Sequence, residues 1–169
     1  MFLALKTIAG LPAHALLVHA AVILVPLAAI ALTALCWNSE WRKHYSLPVA
    51  ILAVIGAGFA LLAKQSGGPL ETSVRQAASA AGAARPRFGD HPEQGDTAFF
   101  FAMLLAMAAV GVWLIERYRE RLELPEWSPL AAYAAAVVPA VLALVTMVVA
   151  GHSGATLVWK DVGSFAAGR

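Results

Sequence analysis

The stretch Gly10-Leu-Pro-Ala-His-Ala-Leu-Leu-Val-His-Ala-Ala-Val-Ile-Leu-Val-Pro26 places His14 and His19 at the start of a long apolar segment. The segment continues to Leu35, which gives it about the length that a helix needs to cross a bilayer. A signal-peptide core is shorter, and Lys6 is the only Lys or Arg before it, so we interpret it as a retained membrane helix. Because ionisable side chains at membrane depth are costly, the two histidines are candidate functional residues.

The composition is that of a membrane protein. Hydrophobic residues make up 60% of the 169 residues and charged residues 13%, whereas charged residues approach about a quarter in soluble proteins. The net charge of +2, without a basic cluster or a Gly-rich phosphate loop in the sequence, argues against a nucleic-acid partner. The single cysteine, Cys36, has no second thiol for a disulfide or a shared metal ion. We therefore expect the lipid bilayer to be the main partner.

Four segments are long and apolar enough to cross a membrane as helices. They cover residues 12–36, 47–65, 97–117 and 129–150, and the last reaches 159 if Trp159 and Lys160 are interfacial anchors. No alternating pattern suggests a β-barrel, the other structure that satisfies its own backbone in lipid. The sequence predicts one all-α domain over residues 1–169, an integral membrane four-helix bundle with both termini on the same side. Residues 67–96 form its one long loop, in which the alanine-rich residues 70–82 are compatible with a short surface helix. We detect no internal repeat.

An even number of crossings sorts the histidines between the two sides. His14, His19, His91 and His152 fall on the side of the termini and the long loop, and only His44 falls on the other. With a rise of about 1.5 Å per residue, His19 and His152 each lie roughly 10 Å inside their helices, which predicts a matched pair. Imidazole binds zinc, copper and iron, and it also serves as an axial ligand of haem.

These positions leave two versions of a redox or metal site open. In the first, His19 and His152 are the axial ligands of one b-type haem. In the second, His14, His91 and His152 join with Glu71 or His19 to hold a copper, iron or zinc ion. Either version suits electron transfer or metal handling, with a redox protein as partner. No nucleophile elbow or positioned base suggests catalytic residues.

A different class of function competes with this interpretation. The chain would be a structural or accessory subunit of a larger membrane complex, with no cofactor, and its histidines would only form hydrogen bonds at the membrane surface. A proton- or ion-conducting transporter is less favoured, because no carboxylate or lysine lies in the middle of any predicted span.

The basic residues indicate an orientation. The two short loops carry Arg42, Lys43, Arg117, Arg119 and Arg121 close to helix ends. By the positive-inside tendency these loops are cytoplasmic. The histidine-rich face is therefore predicted to be extracytoplasmic in a bacterial cytoplasmic (inner) membrane.

Several short motifs lie near the helix ends on the histidine-rich side. They are Gly10-Leu-Pro-Ala-His14, Val18-His19, Gln65-Ser66-Gly67 with Glu71, the segment around His91, Gly151-His-Ser-Gly-Ala155 and Val158-Trp159. Together they resemble the bacterial integral membrane protein family catalogued as domain of unknown function 2231, over nearly the whole chain. The resemblance implies a four-helix membrane protein of bacterial type without an assigned activity. Members that occur beside c-type cytochrome domains would suit a redox role by association.

Overall fold

Four long helices form the protein. The computed structural model describes residues 7–166, with side chains over residues 7–159. The helices are α1 (Ala13–Ala34), α2 (Ser39–Ala80), α3 (His91–Tyr118) and α4 (Ser128–Ala166). A short antiparallel hairpin of β1 (Thr7–Ile8) and β2 (Leu11–Pro12) precedes α1, and a 3₁₀ turn (Leu35–Trp37) follows it. The prediction of an all-α four-helix bundle is confirmed.

Each helix is long and apolar enough to cross a membrane, judged by length and composition. The bundle keeps its large apolar side chains on the outside: Ile23 is 63% exposed, Ile30 57% and Val138 63%. Its interior is built mostly of alanines, with a few larger residues such as Leu32 and Leu105. This distribution fits a bundle in lipid, because small residues let helices approach closely while the hydrocarbon solvates the outer face.

Most of the connection predicted over residues 67–96 is helical. The helix α2 continues through Pro69 to Ala80, and α3 begins at His91, so only residues 81–90 lie between the two helices. A proline inside a helix removes one backbone hydrogen bond, and the long α2 tolerates this loss. The extension of α2 therefore projects beyond the bundle as a helix instead of forming a loop.

The two helical hairpins, α1–α2 and α3–α4, bury many equivalent positions. Between α1 and α3 the buried pairs are Ala21/Ala98, Val25/Ala102, Ala28/Leu105, Ala29/Ala106, Leu32/Ala109 and, just after α1, Leu35/Val112. Between α2 and α4 they are Ser46/Tyr133, Val49/Ala136, Ala53/Ala140, Gly56/Ala143, Ala60/Met147 and Ala63/Ala150. Buried residues at this spacing are typical of packed helices, and the two hairpins could be aligned at several shifts along their helices. Other residues must therefore show which positions of the two hairpins are equivalent.

The bundle has a polar cluster at each end. At the first, which we call the histidine end, His14 of α1 contacts α2 and His91 of α3 contacts α4. At the second, the arginine end, Arg42 near the start of α2 contacts the carbonyl groups that close α1 and the ring of Tyr133. Successive helices therefore run in opposite directions, and the start of α1 lies at the same end of the bundle as residues 150–154.

Candidate functional site

His14 lies in the first turn of α1 and bonds to α2. Its Nδ1 is 2.9 Å from the carbonyl oxygen of Ala63 and 3.4 Å from the hydroxyl of Ser66. Ser66 donates its own proton to the same carbonyl at 2.9 Å. Because a carbonyl oxygen only accepts hydrogen bonds, Nδ1 of His14 must carry the proton. The ring packs against Gly67, where a Cβ would lie 3.4 Å from Cε1 of His14, an ordinary van der Waals distance.

His91 opens α3 and bonds to α4 in the same way. Its Nδ1 is 2.9 Å from the hydroxyl of Ser153, which donates its proton to the carbonyl of Ala150 at 3.0 Å. With the single hydroxyl proton used in this way, the serine oxygen accepts, and Nδ1 of His91 is the donor. At Gly154 a Cβ would lie only 2.9 Å from Cε1 of His91, so the close approach of the ring requires glycine.

These contacts show which positions of the two hairpins are equivalent, and they reveal an internal repeat. The pattern Ala-x-x-Ser-Gly occurs at Ala63-Lys-Gln-Ser-Gly67 and again at Ala150-Gly-His-Ser-Gly154, each time in the helix that receives a histidine from the preceding one. This repeat is hard to recognise in the sequence, because most equivalent positions differ in residue type. The Ala-x-x-Ser-Gly pattern, which occurs once in the helix after His14 and once in the helix after His91, is the signal that would have revealed the repeat.

A small cavity lies next to the two histidines, on the axis that relates the hairpins. Its volume is about 60 Å³. The lining residues all fall into equivalent pairs: His14/His91, Val18/Gly95, Ala21/Ala98, Val22/Phe99, Ala60/Met147, Ala63/Ala150 and Lys64/Gly151. The two imidazole rings meet edge to face, with centroids 6.4 Å apart and planes at 80°. The pair is therefore a two-fold arrangement within one chain.

One wall of the cavity is charged. Lys64 places its Nζ 3.0 Å from Oδ1 of Asp96 and 5.2 Å from the centre of the Phe99 ring. Its side chain is 41% exposed and that of Asp96 63%, so water weakens the ion pair. The equivalent wall has Gly151 instead, whose backbone packs against Val22. The two halves of the site differ in charge at this position.

The free nitrogen of each imidazole is Nε2. With Nδ1 protonated, a neutral histidine has its lone pair on Nε2. In His91 this nitrogen lies 3.4 Å from the place that a Cβ would take at Gly154, and Cε1 lies 2.9 Å from it, so this edge of the ring packs against the glycine. A histidine that donates Nδ1–H to a carbonyl or hydroxyl oxygen and leaves Nε2 free is held as metal-binding histidines usually are.

His19 and His152 lie outside this arrangement. Both are exposed, and neither lines the cavity. Nδ1 of His19 bonds to Ala15 of its own helix. Each residue lies two positions from a buried one, about 200° round the helix, and this rotation turns both away from the bundle interior. The predicted matched pair is therefore not part of the cavity.

The predicted ligand set of His14, His91, His152 and Glu71 is not assembled. Glu71 pairs with Arg75 at 2.6 Å on the extension of α2. Over the described part of the chain, no three His, Cys, Asp or Glu side chains come together in a way that could hold a metal ion. The structure brings His14 and His91 together, whereas His152 and Glu71 lie apart from this pair.

A haem does not fit the cavity. Pockets for ligands smaller than a haem already have volumes of about 300–1,000 Å³, several times the 60 Å³ found here. The residues predicted as axial ligands, His19 and His152, also face outward. The cavity is large enough only for an ion or a few small molecules such as water.

The histidine end lies at the edge of the apolar part of the bundle. Asp96 of α3 marks this level with a charged side chain that pairs with Lys64. From Asp96 to Glu116 the helix rises about 30 Å, which is the thickness of the hydrocarbon core of a bilayer. His14 and His91 begin their helices on the outer side of Asp96, so the pair belongs at the membrane surface.

A family model described as "Predicted membrane protein (DUF2231)" matches residues 10–166. The matched segment contains all four helices, both paired histidines and both copies of the Ala-x-x-Ser-Gly pattern. No curated protein and no solved structure gives a match. The resemblance in sequence to this family is thereby confirmed.

Proposed function

Because the chain belongs to the DUF2231 family of membrane proteins, we propose that its histidine end binds one transition-metal ion, copper, iron or zinc, through Nε2 of His14 and of His91. The observation that carries the proposal is the pair of Nδ1 hydrogen bonds. Each bond is made to a neighbouring helix and fixes the tautomer with a free Nε2. Imidazole nitrogen is a good ligand for all three metals.

The distance between the rings supports a shared ion. Two imidazoles that bind one ion with bonds of about 2.0–2.1 Å have ring centroids roughly 5–6.5 Å apart. The centroids of His14 and His91 are 6.4 Å apart, at the wide end of this range, where the two ligands would lie nearly opposite one another across the ion. A tetrahedral site would need the two rings to approach each other by about 1 Å. Two protein ligands leave coordination positions open for water or for a ligand from outside.

The open coordination favours metal handling over electron transfer. An ion held by two protein ligands at the membrane surface exchanges more readily than one enclosed by four. The basic short loops support a cytoplasmic arginine end and an extracytoplasmic histidine end in a bacterial inner membrane. Electron transfer to a redox protein is the alternative use of the same ion.

The test is metal binding by the full chain in lipid nanodiscs. Asparagine has an amide N–H near the position of Nδ1 and no atom near Nε2, so His14→Asn and His91→Asn keep the interhelical hydrogen bond and remove the ligand. We expect one ion per chain in the wild type, and at least tenfold weaker binding in either variant, measured by competition with a chelator. His19→Asn and His152→Asn are the matched controls.

Two results would overturn the proposal. The first is a wild type that binds no copper, iron or zinc ion at one per chain. The second is binding that survives His14→Asn with His91→Asn and is lost in the controls. A haem absorption band that disappears in the His19→Asn or His152→Asn variants would favour the haem version instead.

An accessory subunit without a cofactor is the second candidate function. The specific observation in its favour is that each Nδ1 bond joins the two helices of one hairpin, which gives His14 and His91 a structural task. This function predicts a protein without bound metal that copurifies with a stoichiometric membrane partner. It also predicts that the asparagine variants leave the assembly intact.

A further inference from the structure

The spacing of the His14 and His91 rings limits the coordination geometry of an ion bound between them. Centroids 6.4 Å apart correspond to two metal–nitrogen bonds of about 2.0–2.1 Å that lie nearly on one line. The angle of 80° between the ring planes is compatible with this arrangement, because two rings joined end to end through an ion can turn about the line between them. The rings as they stand therefore have the spacing of a linear, two-coordinate site.

The rest of the cavity wall offers few further ligands. Apart from the two histidines, Lys64 and Met147, the described residues that line it are Gly, Ala, Val and Phe, and no carboxylate or thiolate is among them. Met147 is buried and contributes a thioether, which is a soft ligand. Zinc takes four ligands, and non-haem iron usually includes a carboxylate among its own. Either ion would have to complete its coordination here with water.

The charge of Lys64 disfavours ions of higher charge. Its side chain lines the same cavity as His14 and His91, and it is the only lysine, arginine or carboxylate side chain in the described part of the wall. Because the repulsion between two charges is proportional to their product, a divalent ion is repelled twice as strongly as a monovalent ion at the same place. The carboxylate of Asp96 is 63% exposed and does not line the cavity, so it offsets this repulsion only in part.

We propose that the histidine end selects the cuprous ion, Cu(I), and binds it in a linear arrangement between Nε2 of His14 and Nε2 of His91. This selection rests on the metal site proposed above, since it names the ion that the site takes. Cu(I) is monovalent and soft, and its filled d shell accepts two ligands on one line, whereas zinc needs four ligands. The thioether of Met147 suits Cu(I) and gives no advantage to zinc or iron.

X-ray absorption by the full chain in lipid nanodiscs, loaded with Cu(I) under reducing and oxygen-free conditions, is the direct test. We expect two nitrogen neighbours, and the sharp feature below the absorption edge that distinguishes linear Cu(I) from Cu(I) with three or four ligands. A Cu(I) ion with three or four ligands overturns the proposal. This measurement uses the unaltered protein, so it does not depend on whether any variant folds.

Competition with chelators compares the dissociation constants for Cu(I) and Zn(II). We expect Cu(I) to bind on the order of a thousandfold more tightly than zinc, and His14→Asn to weaken the binding of Cu(I) by at least about tenfold. A chain that binds neither ion through His14 and His91 overturns the metal site and this selection together. Histidine-dependent binding of zinc within about tenfold of Cu(I) overturns the selection alone and leaves the metal site in place.

Lys64→Gln tests the charged wall. Removal of the positive charge should strengthen the binding of zinc several-fold more than that of Cu(I), because the repulsion of the divalent ion is the larger. Lys43→Gln removes an ion-paired lysine at the arginine end, so it is the matched control and should change neither dissociation constant. An equal change for the two ions in Lys64→Gln would contradict selection by charge.

Discussion

The histidine end and the arginine end are both polar clusters, but only at the histidine end do the two hairpins contribute equivalent side chains. At the histidine end the two hairpins contribute equivalent groups, and both His14 and His91 find a partner on the next helix. At the arginine end the equivalence is lost, because the large buried Tyr133 occupies the position that corresponds to the small Ser46. A symmetric end suits a ligand held between two equal groups, whereas an asymmetric end locks one particular packing.

The largest expected effect lies at the arginine end. Tyr133→Ala removes the largest fully buried side chain and should lower the free energy of unfolding by about 3–5 kcal/mol, the usual cost of deleting a buried aromatic ring. Chemical unfolding in detergent measures the change. Tyr45→Ala, at an exposed position, is the control. A loss below about 1 kcal/mol for Tyr133→Ala would mean that this end does not lock the bundle.

The two glycines at the histidine end offer an intermediate effect. In Gly154→Ala the new Cβ would lie 2.9 Å from Cε1 of His91, whereas in Gly67→Ala it would lie 3.4 Å from His14. We expect Gly154→Ala to destabilise by about 1–3 kcal/mol through overpacking and Gly67→Ala to cost clearly less. Thermal unfolding separates the variants, with Gly58→Ala, which meets no neighbouring atom, as control. Equal losses would mean that the two halves of the site are equally tight.

The smallest expected effect concerns one exposed ion pair at each end. Lys64–Asp96 lies at the histidine end and Lys43–Glu40 at the arginine end, at 3.0 and 2.9 Å. Asp96→Asn should cost at most about 1 kcal/mol, and less at high salt because the charges are screened. Glu40→Gln, at a fully exposed carboxylate, should have a smaller effect still. Unfolding at low and high salt measures both. A much larger, salt-independent loss for Asp96→Asn would make the charged wall part of the structural core.

The site was only partly predictable from the sequence. Counting crossings correctly assigned His14 and His91 to one end, because that inference needs only the number of helices. It could not separate them from His19 and His152, because α1 and α4 are apolar on nearly every side. Such a helix shows no preferred inward face in its sequence, so the neighbouring helices decide which residues are buried.

The sequence by itself determined that this protein is a bundle of four membrane helices. The long apolar segments suffice, because in lipid a helix satisfies its own backbone and needs no information from elsewhere in the chain. The family to which the chain belongs was recognisable for the same reason, since its motifs are local.

Only the tertiary structure decided which side chains meet. The packing of the two equivalent hairpins and the contacts of the serines that orient His14 and His91 depend on segments that are distant in the sequence. In a bundle whose helices are apolar all round, close packing between small residues sets the rotation of each helix. That rotation turned one pair of histidines inward and left the other outside.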